Sequence, residues 1–201
     1  MLKTSETALL LIDLQNGFYH PDSAMGKTHD LSGRQKTIET IAAVVRWARS
    51  KHIPLFWSQQ VHFPEDVTRQ RRQLRAHTDK QRFTPCLRGS FETELFAPAK
   101  ALLAPADYVI EKHRASLFFE TNLAVKLKML GVKNLIVTGC NTEFCVAHTV
   151  RDAYARDFDV VVVRDAVDGI DPVLHQQGLE MLAAYFAEVR PAAALAELFH
   201  E

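Results

Sequence analysis

Apolar residues recur along this chain in two rhythms. Short, nearly continuous runs stand at residues 8–13 (ALLLID), 53–58 (IPLFWS), 108–112 (YVIEK), 135–139 (LIVTG) and 159–164 (DVVVVR), each bounded by polar or turn residues. Their length and β-branched content predict strands buried on both faces, the pattern of a parallel sheet. Between them the apolar positions fall three or four apart. Ile38, Ile41, Val45 and Ala48 make one stripe, Leu123, Leu127 and Leu130 a second, Val146, Val150 and Ala153 a third, and Leu179, Leu182, Phe186 and Val189 a fourth. That spacing places each set on one face of a helix. Alternating strand and helix predict an α/β fold, a three-layer α/β/α arrangement with helices on both faces of a central, mostly parallel sheet.

Gly131 directly follows the Leu130 stripe, as a helix C-cap should before a tight return into the next strand. The segment 62–106 is less regular: it holds Pro64, Pro85, Pro98 and Pro105 and a long polar section, and it predicts a short helix flanked by surface loops. No repeat, low-complexity tract or linker divides the chain, so residues 1–201 read as a single domain.

Composition narrows the function classes. With 47% hydrophobic and 24% charged residues, the 201-residue chain has the make-up of a globular protein, not of a disordered, collagen-like or coiled-coil one. Its 24 Lys+Arg balance its 24 Asp+Glu, which argues against a nucleic-acid or anionic-membrane binder driven by bulk charge. Residues 69–82 (RQRRQLRAHTDKQR) are the local exception, with six basic residues to one acid. They read first as a solvated surface, then as a basic rim for carboxylate substrates or an acidic neighbouring subunit. Nucleic acid comes last, because no aromatic residue interrupts the run before Phe83. The opening residues MLKTSET are too short and polar for a signal peptide, and no apolar stretch approaches the roughly 18 residues a bilayer span needs. The expectation is a cytoplasmic protein with no membrane partner.

Three cysteines, Cys86, Cys140 and Cys145, form no CxxC pair, so neither a disulfide framework nor a zinc ribbon is indicated. At least one thiol is free for chemistry. Ligands of open parallel sheets bind beyond the carboxyl ends of the strands. Asp13 closes the first run, Lys112 closes the third, and Cys145 lies just past the fourth, where the loop enters a helix. A nearby cation and a helix N-terminus would both favour the Cys145 thiolate, with Asp13 accepting and returning a proton. Each residue also has a plainer role, as a turn former, a solvated charge and an inert buried thiol. Cys140 and Cys86 are assigned to structure, one as a strand-end packing residue and the other as a loop thiol.

Three stretches carry a resemblance: LLLIDLQNGF (9–18), EKHRASLFFETNL (111–123) and GVKNLIVTGCNTEFCVAHTVRDAYARDFDVVVVRDA (131–166). They resemble the motif blocks of the isochorismatase-like cysteine hydrolases, which include nicotinamidases, N-carbamoylsarcosine amidases, ureidoacrylate and maleamate amidohydrolases and biuret hydrolases. The resemblance puts Asp13, Lys112 and Cys145 on the family's catalytic triad. It also implies a cis peptide at Cys140–Asn141 and an oxyanion hole formed by the backbone N–H groups of Asn141 and Cys145. Nicotinamidases carry a metal-binding Asp-x-His, but here Gln60 stands in the Asp position ahead of His62. An amide is a poor ligand for zinc or iron, so no metal and no cofactor are expected, and His62 lines the pocket or makes a structural hydrogen bond.

Cys145 itself points to C–N hydrolysis, because the true isochorismatases, which cleave a vinyl ether, lack that nucleophile. Phe18 matches a position at the pocket wall, with core packing as the plainer alternative. Arg114 and Gln176 or Gln177 could meet a substrate carboxylate or carbonyl, with solvation as the alternative. The implied activity is metal-independent hydrolysis of a small amide, ureido or carbamoyl compound through a thioester, releasing ammonia or an amine. The resemblance further implies a homo-oligomer, a dimer or tetramer. A vinyl-ether hydrolase using Asp13 as acid, and a binding protein without turnover, are the alternatives that replacement of Cys145 by Ala separates.

Overall fold

Alternation along one central strand explains why the sheet is covered on both sides. In β2 (Thr7–Ile12) all six residues are buried. Leu9 and Leu11 enter one core with Ile38, Ile41, Val44 and Val45 of α2 (Arg34–Ser50). Ala8, Leu10 and Ile12 enter the other, with Leu123 and Leu127 of α4 (Leu123–Met129) and Val150 and Ala153 of α5 (Ala147–Tyr154). The computed structural model describes residues 1–64, 74 and 83–200. It holds the expected three layers around a parallel sheet.

Six strands pair in the order β4-β3-β2-β5-β6-β7, all parallel. They are β3 (Leu55–Gln60), β4 (Tyr108–Lys112), β5 (Asn134–Cys140), β6 (Asp159–Asp168) and β7 (Glu188–Arg190) beside β2. From β2 the chain steps outward to β3 and β4, then returns to the other side of β2 with β5. The strand order therefore reverses between β2 and β5, and a crevice opens beyond their carboxyl ends. Remaining elements are β1 (Leu2–Lys3), α1 (Asn16–Tyr19), α3 (Ala97–Lys100), α6 (Pro172–Tyr185), α7 (Leu195–Leu198) and β8 (Phe199–His200).

Several expectations need correcting. β3 starts after Pro54 and extends to Gln60, two residues beyond the expected end, because the ladder to β4 continues through the Gln60–Lys112 pair. β4 is an edge strand and alternates, with Val109 and Glu111 exposed and Ile110 and Lys112 buried, so it is not covered on both faces. Val189 does not belong to the fourth helical stripe. α6 ends at Tyr185, the Phe186 N–H caps it on Leu182 O, and Val189 pairs with Val162 as part of β7. A three-residue strand is too short to show a period. The same holds for the β1–β8 pair, two residues on each side.

Gly131 has φ +69°, as a C-cap in the left-handed region requires. In the described part of segment 62–106, the short helix is α3, preceded by a 3₁₀ turn at Phe91–Thr93. Apart from Leu74, the basic segment 69–82 lies outside the described residues. Among the described residues no helix is long and apolar enough to cross a membrane.

Candidate active site

The strand ends bring the three expected residues together. Lys112 is the last residue of β4, and its Nζ lies 2.8 Å from Asp13 Oδ2 and 3.5 Å from Cys145 Sγ. Lys112 and Asp13 are 0% exposed and Cys145 is 4% exposed. Asp13 follows β2 with φ +54°, a left-handed conformation that Asp tolerates better than most residues. This breaks the strand alternation and turns the carboxylate toward Ser58 and Lys112. Ser58 Oγ donates to Asp13 Oδ1 (2.5 Å) and accepts from the Asp13 N–H (2.9 Å), which fixes the carboxylate from both sides. Gly139, at φ +106°, lets β5 pass against this turn, since a Cβ there would sit 2.1 Å from Ile12 O.

Lys112 Nζ also donates to Gln60 Oε1 (2.7 Å) and Arg114 O (3.1 Å). Four acceptors thus surround three N–H bonds, and the sulfur at 3.5 Å is the most distant. Lysine only donates, so the Gln60 oxygen must face it, and the Gln60 NH2 then faces His62 Nε2 at 3.3 Å. His62 Nε2 must accept, while its Nδ1 donates to Pro85 O at 2.6 Å. Gln60 itself is anchored by Gln15, which donates to Gln60 O (2.9 Å) and accepts from Gln60 N–H (2.7 Å).

Electrostatics correct the expected thiolate. Burial pushes the Cys145 thiol well above its ordinary range; Lys112 opposes this, but the Asp13 carboxylate adds to it. Nor does Cys145 sit at a free helix N-terminus. It lies inside the π-helical turn Thr142–Val146 that runs into α5. Burial also opposes the Lys112 ammonium, yet Asp13 and Cys145 hold it above its ordinary value. The resting arrangement is an ion pair beside a protonated thiol.

The other expected residues divide. The Cys140–Asn141 bond is cis. His62 makes structural hydrogen bonds, and Arg114 reaches Lys112 through its backbone carbonyl while its Nη1 donates to His113 O (2.8 Å). Phe18 packs in the core with Leu14, Tyr19 and Met25. Gln176 and Gln177 are exposed on α6, with Gln176 bonded to Glu180. Cys140 closes β5, and burial pushes its thiol up to about 12. Cys86 is a loop thiol, and it is buried, with its Sγ donating to Glu92 O (3.3 Å).

Among the described residues, the side chains around Gln60 form no metal-binding set. Both polar atoms of the Gln60 side chain are committed, to Lys112 and to His62, and among the described residues no three His, Cys, Asp or Glu side chains converge. A cavity of about 540 Å³ lined by Leu2, Tyr154, Phe158 and Phe186 lies away from all of these groups.

Sequence reasoning missed Ser58 on Asp13, the bond of Gln60 to Lys112, and Arg34. Arg34 is 3% exposed and reaches Asn141 Oδ1 with Nη2 at 2.8 Å. Nothing local marked it, since α2 is amphipathic and carries other charged and polar residues along its exposed side.

Comparison with known proteins places this geometry among relatives. A family model described as the isochorismatase domain matches residues 7–194. The chain is 32% identical over 171 residues to a protein of Arabidopsis thaliana named a probable inactive nicotinamidase, covering 84% of each. It is 30% identical over 212 residues to the ureidoacrylate amidohydrolase RutB of Methylobacterium radiotolerans, covering 96% of this chain and 79% of the relative. An isochorismatase family protein of Desulfovibrio vulgaris has the same fold, with a TM-score of 0.82 at 27% identity over 96% of this chain and 97% of the other.

Proposed function

This chain belongs to the isochorismatase family of hydrolases, and from that premise we propose that it hydrolyses a C–N bond of a small amide, ureido or carbamoyl compound, with Cys145 as nucleophile and no metal. The observation that carries this reading is the buried Lys112 ammonium in contact with both the Asp13 carboxylate and the Cys145 sulfur. That contact sets a proton donor, a proton acceptor and a fixed positive charge side by side.

Because the resting thiol is protonated, attack begins with transfer of its proton to Asp13. Sγ then bonds to the substrate carbonyl carbon, and the carbonyl electron pair moves onto oxygen. The Lys112 ammonium keeps the charge balance as the proton crosses. The backbone N–H groups of Asn141 and Cys145 receive the oxyanion, a contribution of about a hundredfold or more in rate per donor. Collapse breaks the C–N bond, and Asp13 returns the proton to the leaving nitrogen. Water next attacks the thioester with Asp13 as base, and the sulfur departs as the thiol is restored.

The relative named RutB supports an amide-type substrate, and the committed Gln60 amide supports chemistry without a metal. Exposed apolar side chains on α6, among them Val173, Leu174 and Tyr185, support self-association as a homo-oligomer. The test is ammonia release from small amides, carbamoyl and ureido acids, biuret and nicotinamide, with a chelator present and with Cys145→Ala beside the wild type. Release that persists with chelator and vanishes in the variant upholds the reading. Turnover that survives in Cys145→Ala removes the thiol from the mechanism and sinks it. Silence of a folded wild type across the panel favours vinyl-ether cleavage by Asp13 or a binding protein, which isochorismate as the next compound separates.

A further inference from the structure

Arg34 occupies a position that disfavours it twice. It opens α2, where the helix dipole opposes a cation, and its guanidinium is almost completely withdrawn from water. Its contacts explain how it is kept there. The guanidinium donates to three acceptors on three separate segments: Phe18 O in α1, Asn141 Oδ1 at 2.8 Å, and Gly169 O, just past β6, at 3.0 Å. Asp168 Oδ2 lies 3.8 Å from Nε and is itself held by the Thr37 hydroxyl at 3.3 Å. The Tyr19 ring lies 5.2 Å beneath the guanidinium, and the Glu143 carboxylate adds to the negative surroundings.

Asn141 is where these contacts meet the chemistry. Its backbone oxygen accepts from the N–H groups of Phe144 (3.0 Å) and Val146 (3.1 Å), which tie it to the turn carrying Cys145. Its side-chain oxygen is held by Arg34. Both ends of the residue are thereby fixed, one to the nucleophile's turn and one to a fork braced on Phe18 and Gly169. We infer that Arg34 is a positioning residue for the oxyanion hole, holding Asn141 so that its N–H stays aimed at the reacting carbonyl oxygen, a role that rests on the amidohydrolase reading above. The planar fork spreads these bonds over two nitrogens, Nη1 to Phe18 O and Nη2 to Asn141 Oδ1 and Gly169 O. Lysine would keep the charge and lose the fork.

The test separates aim from general integrity by comparing Arg34→Lys with the wild type in three measurements. They are ammonia release from the panel above, thermal melting, and the rate at which iodoacetamide modifies Cys145, mapped by mass spectrometry. The oxyanion side of the site is disturbed while the thiol side is not, so kcat should fall about tenfold to a hundredfold with KM within about twofold. Alkylation of Cys145 should stay within about twofold of wild type, since Lys112 and Asp13 are untouched. A folded Arg34→Lys protein with wild-type kcat overturns the inference, and so does a parallel loss of kcat and alkylation, which would mark a merely structural role. Should Arg34→Lys not melt cooperatively, Asp168→Asn carries the test, because it keeps an acceptor for the Gly169 N–H and removes the charge facing Arg34; the same split between kcat and alkylation is expected, only smaller. A wild type without turnover, or a Cys145→Ala variant that retains it, defeats the parent reading and this one together. Cys145-dependent turnover beside an unaffected Arg34→Lys defeats this one alone.

Discussion

Lys112 and Arg34 are both buried cations beside a carboxylate, but they are held in opposite ways. Lys112 contacts its carboxylate at 2.8 Å and has a titratable sulfur among its acceptors. Arg34 keeps its carboxylate at 3.8 Å and gives its short bonds to uncharged oxygens of the backbone and of an amide. In the proposed mechanism the first arrangement lets a proton move between sulfur and carboxylate while a fixed positive charge stays alongside. The second has no mobile proton and can only hold geometry. A compact ammonium suits the one task and a rigid planar fork the other.

The comparison breaks most readily at the nucleophile. Cys145→Ala should lower ammonia release by roughly four orders of magnitude in kcat, and retention of even a hundredth of the rate would remove the thiol from the mechanism. Next comes Lys112→Met, which strands the Asp13 carboxylate without its partner. Urea denaturation should show a loss of about 3–5 kcal/mol, and a loss under about 1 kcal/mol would mean that the pair is not the closed unit described here. Arg34→Lys should cost less in both stability and rate, since the positive charge is kept.

A smaller effect concerns alkaline pH. Burial pushes the Cys140 thiol from its ordinary value of 9.0 up to about 12 in the folded chain. Below pH 9 the thiol is protonated in both states and costs nothing. As pH rises from 9 toward 12 the unfolded chain loses this proton first, so the folded state loses about 1.4 kcal/mol per pH unit from this group. Melting temperature should therefore fall steeply in that window, and Cys140→Ala should flatten the fall. An identical slope in the variant would contradict the assignment. Burial of Cys145 acts in the same sense on reactivity: its alkylation should be slow at pH 7 and still climbing at pH 9, yet faster than that of Cys86 or Cys140, which are fully buried. The smallest effect is expected at α6, where Gln176→Ala should change neither kcat nor stability by more than about 0.5 kcal/mol.

The pattern of apolar positions made most of the fold legible. Central strands buried on both faces write continuous apolar runs, and helices covering one face write stripes, so β2, β3, β5 and β6 with α2, α4 and α5 could be read directly. Edge and very short strands escape such reading. Val189 sits four residues past the end of α6 and keeps an apolar spacing that a helix would share, and only pairing with Val162 makes it a strand. In the site, Asp13, Lys112 and Cys145 were visible because each ends or follows a strand, the place where a parallel sheet presents its ligands. Arg34, Ser58 and Gln60 were not, since no spacing in the chain relates residue 34 to 141 or residue 60 to 112.

The sequence alone therefore determined the layers, the polarity of the sheet, the family and which thiol stands beside Lys112, all of which follow from local periodicity or from contiguous motifs. Tertiary structure decided the protonation of that thiol and the duties of the two cations. Those depend on how much water is removed and on which charges are brought together from distant segments. The thiolate expected from a helix end and a nearby lysine gives way to a protonated thiol because burial and the Asp13 carboxylate together outweigh Lys112.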